Sequence, residues 1–140
     1  MKILGIDYGD SRTGFALSDD LGFGAHTLET LHEKNMKKVA QYAADLAQET
    51  SAEKIVLGMP KNMNGTIGER GERTQKFAAF LKELVDLEII FWDERLTTVS
   101  AHQLMNETNV RGKRRKNCVD QVAAAFILQA YLDHSRNISI

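Results

Sequence analysis

The sequence predicts an α/β fold in which helices cover both faces of a mixed five-stranded sheet. Three features of the chain support this prediction. The first run, "KILGIDYG", is apolar on both faces apart from its ends, which is typical of a buried central strand. Two strand-like segments follow it at hairpin spacing, and two later strand-like runs each come after an amphipathic helix. Such crossovers are right-handed, so the two late strands are expected to run parallel to the first.

The first third of the chain is predicted to be an antiparallel meander of three strands. After "KILGIDYG", the second strand is "RTGFALSD" and the third is "AHTLETL". The segments "YGDS" and "DDLGFG" supply the turn residues between them. The strand order then changes, because the next two strands arrive through helices.

A helix and a strand alternate twice in the middle of the chain. The first helix, from Asn35, is predicted by a one-sided apolar stripe. The stripe consists of Met36, Val39, Ala40, Ala43, Leu46 and Ala47. The next strand, "KIVLGMP", ends at Pro60, and the glycine-bearing loop "KNMNGTIGERGE" leads into the second helix. The apolar positions of that helix are Phe77, Phe80, Leu81, Leu84 and Val85. The last strand is "EIIFWDE".

Two helices separated by a basic loop are predicted in the last third of the chain. The segment "TTVSAHQLMNE" is predicted to be a short helix that begins at a threonine cap. The final helix is apolar nearly all round at its middle, so we expect it to pack flat on the sheet. Its stripe consists of Val119, Val122, Ala123, Phe126, Ile127, Ala130 and Tyr131.

Length and composition indicate one soluble domain. A chain of 140 residues can bury a core without disulfides or a structural metal, and we treat residues 1–140 as a single domain that ends in a short polar tail. The one cysteine, Cys118, cannot form an internal disulfide, and no segment resembles a signal sequence or a membrane span. The four histidines lack the close spacing of a zinc site. We therefore expect a cytoplasmic protein that does not enter a membrane.

The net charge of −1 hides a strong local asymmetry. The segment "RGKRRK" at residues 111–116 holds five of the 18 basic residues and no acid, which leaves 13 basic against 19 acidic residues elsewhere. A compact basic patch on an acidic protein is suited to binding phosphate groups, and the acidic remainder disfavours indiscriminate binding of nucleic acid. The alternative is a solvated charged loop without a partner.

Three positions along the chain carry carboxylates that could meet at one edge of the sheet. Asp7 ends the first strand, and Asp93 and Glu94 end the last one. One of these two must point to the same side as Asp7, because side chains alternate along a strand, but the alternation does not say which. Asp120 is the acid within the long apolar final helix. Ligands gather beyond the carboxyl ends of parallel strands, where these groups are expected.

Converging carboxylates repel one another unless a cation neutralises them. Mg²⁺ is the natural partner, because it takes oxygen ligands from a few carboxylates while it keeps waters and substrate phosphate oxygens in its shell. Two such ions about 4 Å apart support phosphodiester hydrolysis. Each acid also has a structural interpretation: Asp7 in a turn, Asp93 or Glu94 as the polar end of a strand beside Arg95, and Asp120 as a helix-start acid after an Asn117 cap.

Four segments taken together resemble one known family. "GIDYGDSRTGFALSD", "VLGMPKNMNGTIGERG", "DERLTT" and "KNCVDQVAAAFILQAYL", in this order and spacing, are similar to the YqgF (RuvX) family. Members of that family are described as Holliday junction resolvases and are associated with maturation of the 5′ end of 16S ribosomal RNA. The resemblance covers nearly the whole chain. It implies a ribonuclease H-like fold, in agreement with the element order predicted above.

The resemblance also implies roles for particular residues. It places the three catalytic, metal-binding acids on Asp7, Glu94 and Asp120, with Mg²⁺ or Mn²⁺ as the cofactor, and so selects Glu94 over Asp93. Motif positions with a supporting role, in positioning the acids or contacting phosphate, fall on Arg12, Gly58, Pro60, Arg95, Thr97 and Thr98. The resemblance also implies that the basic segment before the last helix binds substrate. Its basic residues are Arg111, Lys113, Arg114, Arg115 and Lys116.

The leading functional hypothesis is a metal-dependent endonuclease that acts on structured RNA and processes the 5′ end of pre-16S rRNA, with the precursor of the small ribosomal subunit as its partner. The alternatives are a resolvase of four-way DNA junctions, which requires a symmetric dimer, and a non-catalytic ribosome-assembly factor. We expect a monomer or a weak homodimer. A sugar-kinase-like or actin-like nucleotide binder, suggested by "DYGDSRTG", needs two paired domains and more chain than is present. The glycine-bearing loop also lacks the GK[ST] ending of a P-loop.

Overall fold

The computed structural model describes residues 1–22, 24–62, 64–94 and 123–135, and it confirms the predicted α/β architecture. Residues 123–135 are helical and are called α3. The other elements, in chain order, are β1 (Ile3–Asp7), β2 (Arg12–Ser18), β3 (Ala25–Thr27), β4 (Leu31–His32), α1 (Met36–Glu49), β5 (Lys54–Met59), α2 (Glu69–Leu84) and β6 (Glu88–Asp93).

The strands form one mixed sheet in the order β3-β2-β1-β5-β6, with β4 paired to the start of β2. β1 and β2 are antiparallel, whereas β1, β5 and β6 are parallel, as the crossover rule predicts. The register places Ile6 of β1 opposite Leu57 of β5, and Gly58 opposite Trp92 of β6. The three parallel strands therefore end together at one edge of the sheet, which we call the carboxyl edge.

The predicted third strand is divided in two, so the described part of the sheet has six strands and not five. β3 pairs with residues 16–18 of β2, and β4 pairs with residues 12–13. Leu28 and Leu31, which are three residues apart, both pack against the same core cluster. A continuous strand would send these two side chains to opposite faces, so the chain leaves the ladder between them.

Helices α1 and α2 cover one face of the sheet. Alternate residues of the strands, such as Leu4, Phe15 and Leu57, are fully buried under them. The start of α1 is fixed by Asn35, whose side-chain oxygen accepts hydrogen bonds from the backbone N–H groups of Lys37 and Lys38 at 3.0 and 3.2 Å. Along α1, the predicted stripe is buried at Val39, Ala40, Ala43 and Ala47.

Helix α3 packs on the opposite face, against the other alternate set of strand residues. Ile3, Ala16 and Val56 share a core cluster with Ala124, Ile127, Leu128 and Leu132. The approach is closest at Gly5, where an added Cβ would lie 2.9 Å from the Leu128 Cβ and 3.2 Å from the Ala124 carbonyl oxygen. Gln129 fastens α3 to the edge of the sheet, because its Oε1 accepts the Ala25 N–H at 3.0 Å. No helix among the described residues is long and apolar enough to span a membrane.

The tight contact at Gly5 predicts the effect of adding one methyl group there. Gly5→Ala forces α3 away from β1, and we expect the free energy of unfolding to fall by about 1–3 kcal/mol. Urea denaturation measures this change. Gly24→Ala is the control, because the nearest atom to a Cβ at Gly24 is the Asp19 Oδ2 at 3.6 Å. Equal stability of the two variants would contradict the close packing of α3 on β1.

Candidate active site

Asp7 is the last residue of β1 and lies half-buried at the carboxyl edge. Its partner in the antiparallel register with β2 is Gly14. On the other side, Gly58 of β5 is the next residue after the Ile6–Leu57 pair, so it is the neighbour of Asp7 on that strand. Glycines therefore flank Asp7 on both adjacent strands, and the space beside its carboxylate is not filled by neighbouring strand side chains.

Glu94 reaches this space from β6 by crossing over Gly58. A Cβ added to Gly58 would lie 2.6 Å from the Glu94 Oε1 and 3.0 Å from its Cγ. The Glu94 carboxylate therefore rests on β5, which is about one strand spacing, or about 4.8 Å, from β1. The absence of a side chain at Gly58 brings an acid from the edge strand toward Asp7.

The alternation of side chains explains why Glu94, and not Asp93, belongs to this face. Gly5 and Gly58 both face α3. Asp7 lies two residues after Gly5 on β1, so its side chain points to the same face. On β6, Trp92 packs against the α3 cluster and against Tyr131, with ring centroids 6.2 Å apart. Asp93, one residue later and paired with Met59, points to the face covered by α1 and α2. The choice between the two acids, which alternation alone left open, follows from the register.

Arg12 lies on the same face, at the start of β2. Ala16, four residues later on the strand, packs under α3, and the period of two places Arg12 on that side as well. Arg12 is half-buried and lies two residues before Gly14, the residue that pairs with Asp7. A guanidinium here can offset the charge of the carboxylates or donate hydrogen bonds to a phosphate.

The remaining predicted site residues lie outside the described residues. Three of the supporting positions, Arg95, Thr97 and Thr98, follow Glu94 directly, and the third acid, Asp120, precedes α3. The basic segment with Arg111, Lys113, Arg114, Arg115 and Lys116 also falls outside. Within the described ranges, no group of three or more acidic, histidine or cysteine side chains could hold a metal ion. Of the three predicted metal ligands, the described structure brings Asp7 and Glu94 to one face.

The donor set and the space around it fit a hard divalent cation. The two predicted ligands that the structure describes are carboxylates, which are the oxygen donors that Mg²⁺ and Mn²⁺ prefer. Gly58 forms a gap that a single Cβ would fill, and the Glu94 oxygen lies in that gap. Asp7 and Glu94 can therefore supply two of the ligands of such an ion.

The residue after Asp7 anchors the carboxyl edge to the opposite face of the sheet. The ring of Tyr8 stacks on Phe77 of α2, with centroids 4.4 Å apart and an interplanar angle of 16°. Burial raises the pKa of the Tyr8 phenol and is the largest effect. The positive charge of Arg73 lowers this pKa, and the negative charge of Asp10 raises it. Arg73 also binds Asp10, with Nη1 and Oδ1 3.0 Å apart. The spacing of apolar residues in the sequence gave no sign of these contacts, because they cross from a strand end to a helix.

Comparisons with known proteins identify the family of the chain. The family model described as RuvX, Holliday junction resolvase, matches residues 1–134. A protein of Ruminiclostridium cellulolyticum named "Putative pre-16S rRNA nuclease" is 49% identical over 134 residues, which cover 95% of this chain and 94% of the relative. A protein of the same name from Clostridium novyi is 47% identical over 133 residues, with coverages of 95% and 98%.

A solved structure shares the fold at much lower sequence identity. The chain is similar to T. thermophilus RuvC in complex with a Holliday junction substrate, with a TM-score of 0.59, 12% identity and coverage of 96% of both chains. At this identity the similarity concerns the fold alone.

The buried phenol of Tyr8 predicts a loss of stability at alkaline pH. The folded chain holds this proton more tightly than the unfolded chain, so the free energy of unfolding falls as the pH rises above about 10. Tyr8→Phe retains the stacking on Phe77 and is expected to reduce this fall. Denaturant titrations of both proteins between pH 7 and 11 measure the difference between their free energies of unfolding. The other groups that ionise at alkaline pH are the same in both proteins, so their effects cancel in this difference. The same pH dependence in both proteins would contradict the burial of the phenol.

Proposed function

The chain belongs to the RuvX family of Holliday junction resolvases, and from this membership we propose that it is a metal-dependent endonuclease that processes the 5′ end of pre-16S rRNA. The name shared by its relatives supports the choice of RNA. The observation that carries the proposal is the position of Glu94, which crosses Gly58 to lie on the same face and at the same edge as Asp7. Two carboxylates in this arrangement suit the hydrolysis of a phosphodiester bond.

In this proposal, Asp7 and Glu94 would hold Mg²⁺ or Mn²⁺ together with Asp120. The chemistry that such an ion supplies when it is bound is the activation of water and the stabilisation of the leaving oxygen. The carboxylates would fix the position of the metal ion relative to the sheet, and Arg12 would contact a phosphate oxygen. Gly14, the register partner of Asp7 on β2, has no side chain that would keep the sugar-phosphate backbone from approaching Asp7 on that side.

The residues beyond Glu94 complete the proposed site. Arg95, Thr97 and Thr98 would position the acids or contact phosphate, and the basic segment 111–116 would hold the polynucleotide. Its five cations supply the sequence-independent attraction that nucleic-acid binding requires.

Cleavage of four-way DNA junctions is the second candidate, because the description of the family favours it. A junction is cut on two strands, so this function needs a symmetric dimer that presents two sites. The two candidates therefore differ in substrate and in oligomeric state, whereas they share the same acids.

Asp7→Asn is expected to abolish cleavage and leave the fold intact, because it removes a charged ligand at a half-buried surface position. The measurement uses end-labelled pre-16S rRNA that carries the 5′ extension, in parallel with a four-way DNA junction, with Mg²⁺ or Mn²⁺. Metal-dependent cuts in the RNA alone support the proposed function, and cuts in the junction alone favour the second candidate. Full activity of the variant, or no cleavage of either substrate by the wild-type protein, would contradict the proposal and favour a non-catalytic assembly factor.

Gly58→Ala tests the gap beneath Glu94. The new Cβ would displace the Glu94 carboxylate and the Ile127 Cδ1, each 2.6 Å away, and we expect kcat for RNA cleavage to fall by about 10- to 100-fold. Gly5→Ala is the matched control, because it also crowds α3 but does not touch Glu94. That variant is expected to keep kcat at temperatures where it is folded. Equal kcat values for the two variants would count against the role of Gly58.

A further inference from the structure

The first turns of α2 extend past the carboxyl edge of the sheet. Phe77 stacks on Tyr8, the residue that follows the end of β1, and Phe77 lies eight positions after Glu69, the first residue of α2. At 1.5 Å per residue, this part of α2 continues for about 12 Å beyond the stack. The ion pair between Arg73 and Asp10 ties it to the turn after β1. The projecting turns therefore form a wall beside the edge that carries Asp7.

Arg70 lies on the side of this wall that faces the sheet edge. It precedes Phe77 by seven residues, or about two turns, and so shares the helical stripe of Phe77 and Leu81, which are both fully buried against the sheet. Arg70 is exposed, because its position lies beyond the last residues of the strands. Lys76 is also exposed on α2 but lies on the outer face of the helix.

The loop between β5 and α2 places a second cation beside Arg70. Asn62 and Thr66 close this loop, since the Asn62 N–H donates to the Thr66 carbonyl oxygen at 2.9 Å and the Asn62 Nδ2 donates to the Thr66 Oγ1 at 3.1 Å. The loop packs directly on α2, where a Cβ at Gly71 would lie 2.4 Å from the Ile67 Cγ2. A cleft of about 230 Å³ remains between loop and helix, lined by Lys61, Asn62, Glu69 and Arg70 among others.

The charges in this cleft favour an anion. Among the described residues, Lys61 and Arg70 form no ion pair, whereas Arg73 is paired with Asp10. Two cations against the single carboxylate of Glu69 leave a net positive charge in the cleft. The cleft opens at the carboxyl edge, on the side covered by α1 and α2, whereas Asp7 and Glu94 lie on the side of α3.

We propose that Lys61 and Arg70 bind one phosphate group of the nucleic-acid backbone, so that the substrate strand crosses the carboxyl edge between this cleft and the acids. The inference rests on the proposed nuclease function and deepens it, because it names a backbone contact separate from the basic segment 111–116. The contact serves binding and takes no part in the chemical step.

The experiment measures the Kd of a fluorescein-labelled RNA that spans the mature 5′ end of 16S rRNA, by fluorescence anisotropy. An Asp7→Asn background prevents cleavage. Arg70→Gln and Lys61→Gln are each expected to weaken binding about five- to tenfold near 0.1 M salt. Each should lower the slope of log Kd against log salt, and the double variant should lower it by about 0.7–0.9, which is the contribution of one phosphate. Arg70→Lys should restore most of the slope, because it keeps the charge.

Lys76→Gln is the matched control, since it removes one positive charge from the outer face of the same helix. If Arg70→Gln and Lys61→Gln change Kd and the salt slope no more than Lys76→Gln, the inference is overturned. Absence of RNA binding also overturns it. Binding that depends on Arg70 and Lys61, together with a wild-type protein that cuts no RNA, supports the phosphate contact and contradicts the proposed nuclease function, so the two failures are distinguishable.

Discussion

The arrangement of the carboxyl edge depends on one close contact, that of the Glu94 carboxylate with the backbone of Gly58. Parallel pairing of β1, β5 and β6 ends three strands at one level, but it leaves β6 two strands away from Asp7. Only a residue without a side chain on β5 allows Glu94 to cross that distance. The same glycine contacts Ile127, so the packing of α3 and the position of the acid are set at a single point.

Much of this fold could be predicted from the sequence, because its elements follow simple periods. The two-sided apolar run of β1, the stripe of α1 and the capping Asn35 determine local structure within a few residues. The break between β3 and β4 could not be predicted in the same way, since it depends on Leu28 and Leu31 sharing one core. In α3 the buried stripe is Ala124, Ile127, Leu128 and Leu132, and it differs from the predicted one because a nearly uniform apolar helix does not specify which face packs on a sheet.

The site was predicted only in part, for a related reason. Sequence placed Asp7 and the pair Asp93 and Glu94 at strand ends, but the face of each acid depends on the register between β5 and β6. Resemblance to a family selected Glu94, and the register explains why Glu94, and not Asp93, lies on the face of Asp7. The wall formed by the start of α2 could not be predicted from composition. Arg70 lies beside the carboxyl edge because α2 extends past the ends of the strands, and this follows only from the folded structure.

The central claim is that Asp7 and Glu94 bind the metal ion on one face of the sheet, while Asp93 lies on the other face and does not bind it. Titration calorimetry with Mn²⁺ tests it directly, in wild-type protein, Glu94→Gln and Asp93→Asn, each shown to be folded by circular dichroism. The two substitutions remove the same charge from adjacent residues. We expect Glu94→Gln to weaken Mn²⁺ binding about tenfold or more, whereas Asp93→Asn should change it by less than about twofold. Equal effects of the two substitutions, or a larger effect of Asp93→Asn, would contradict it.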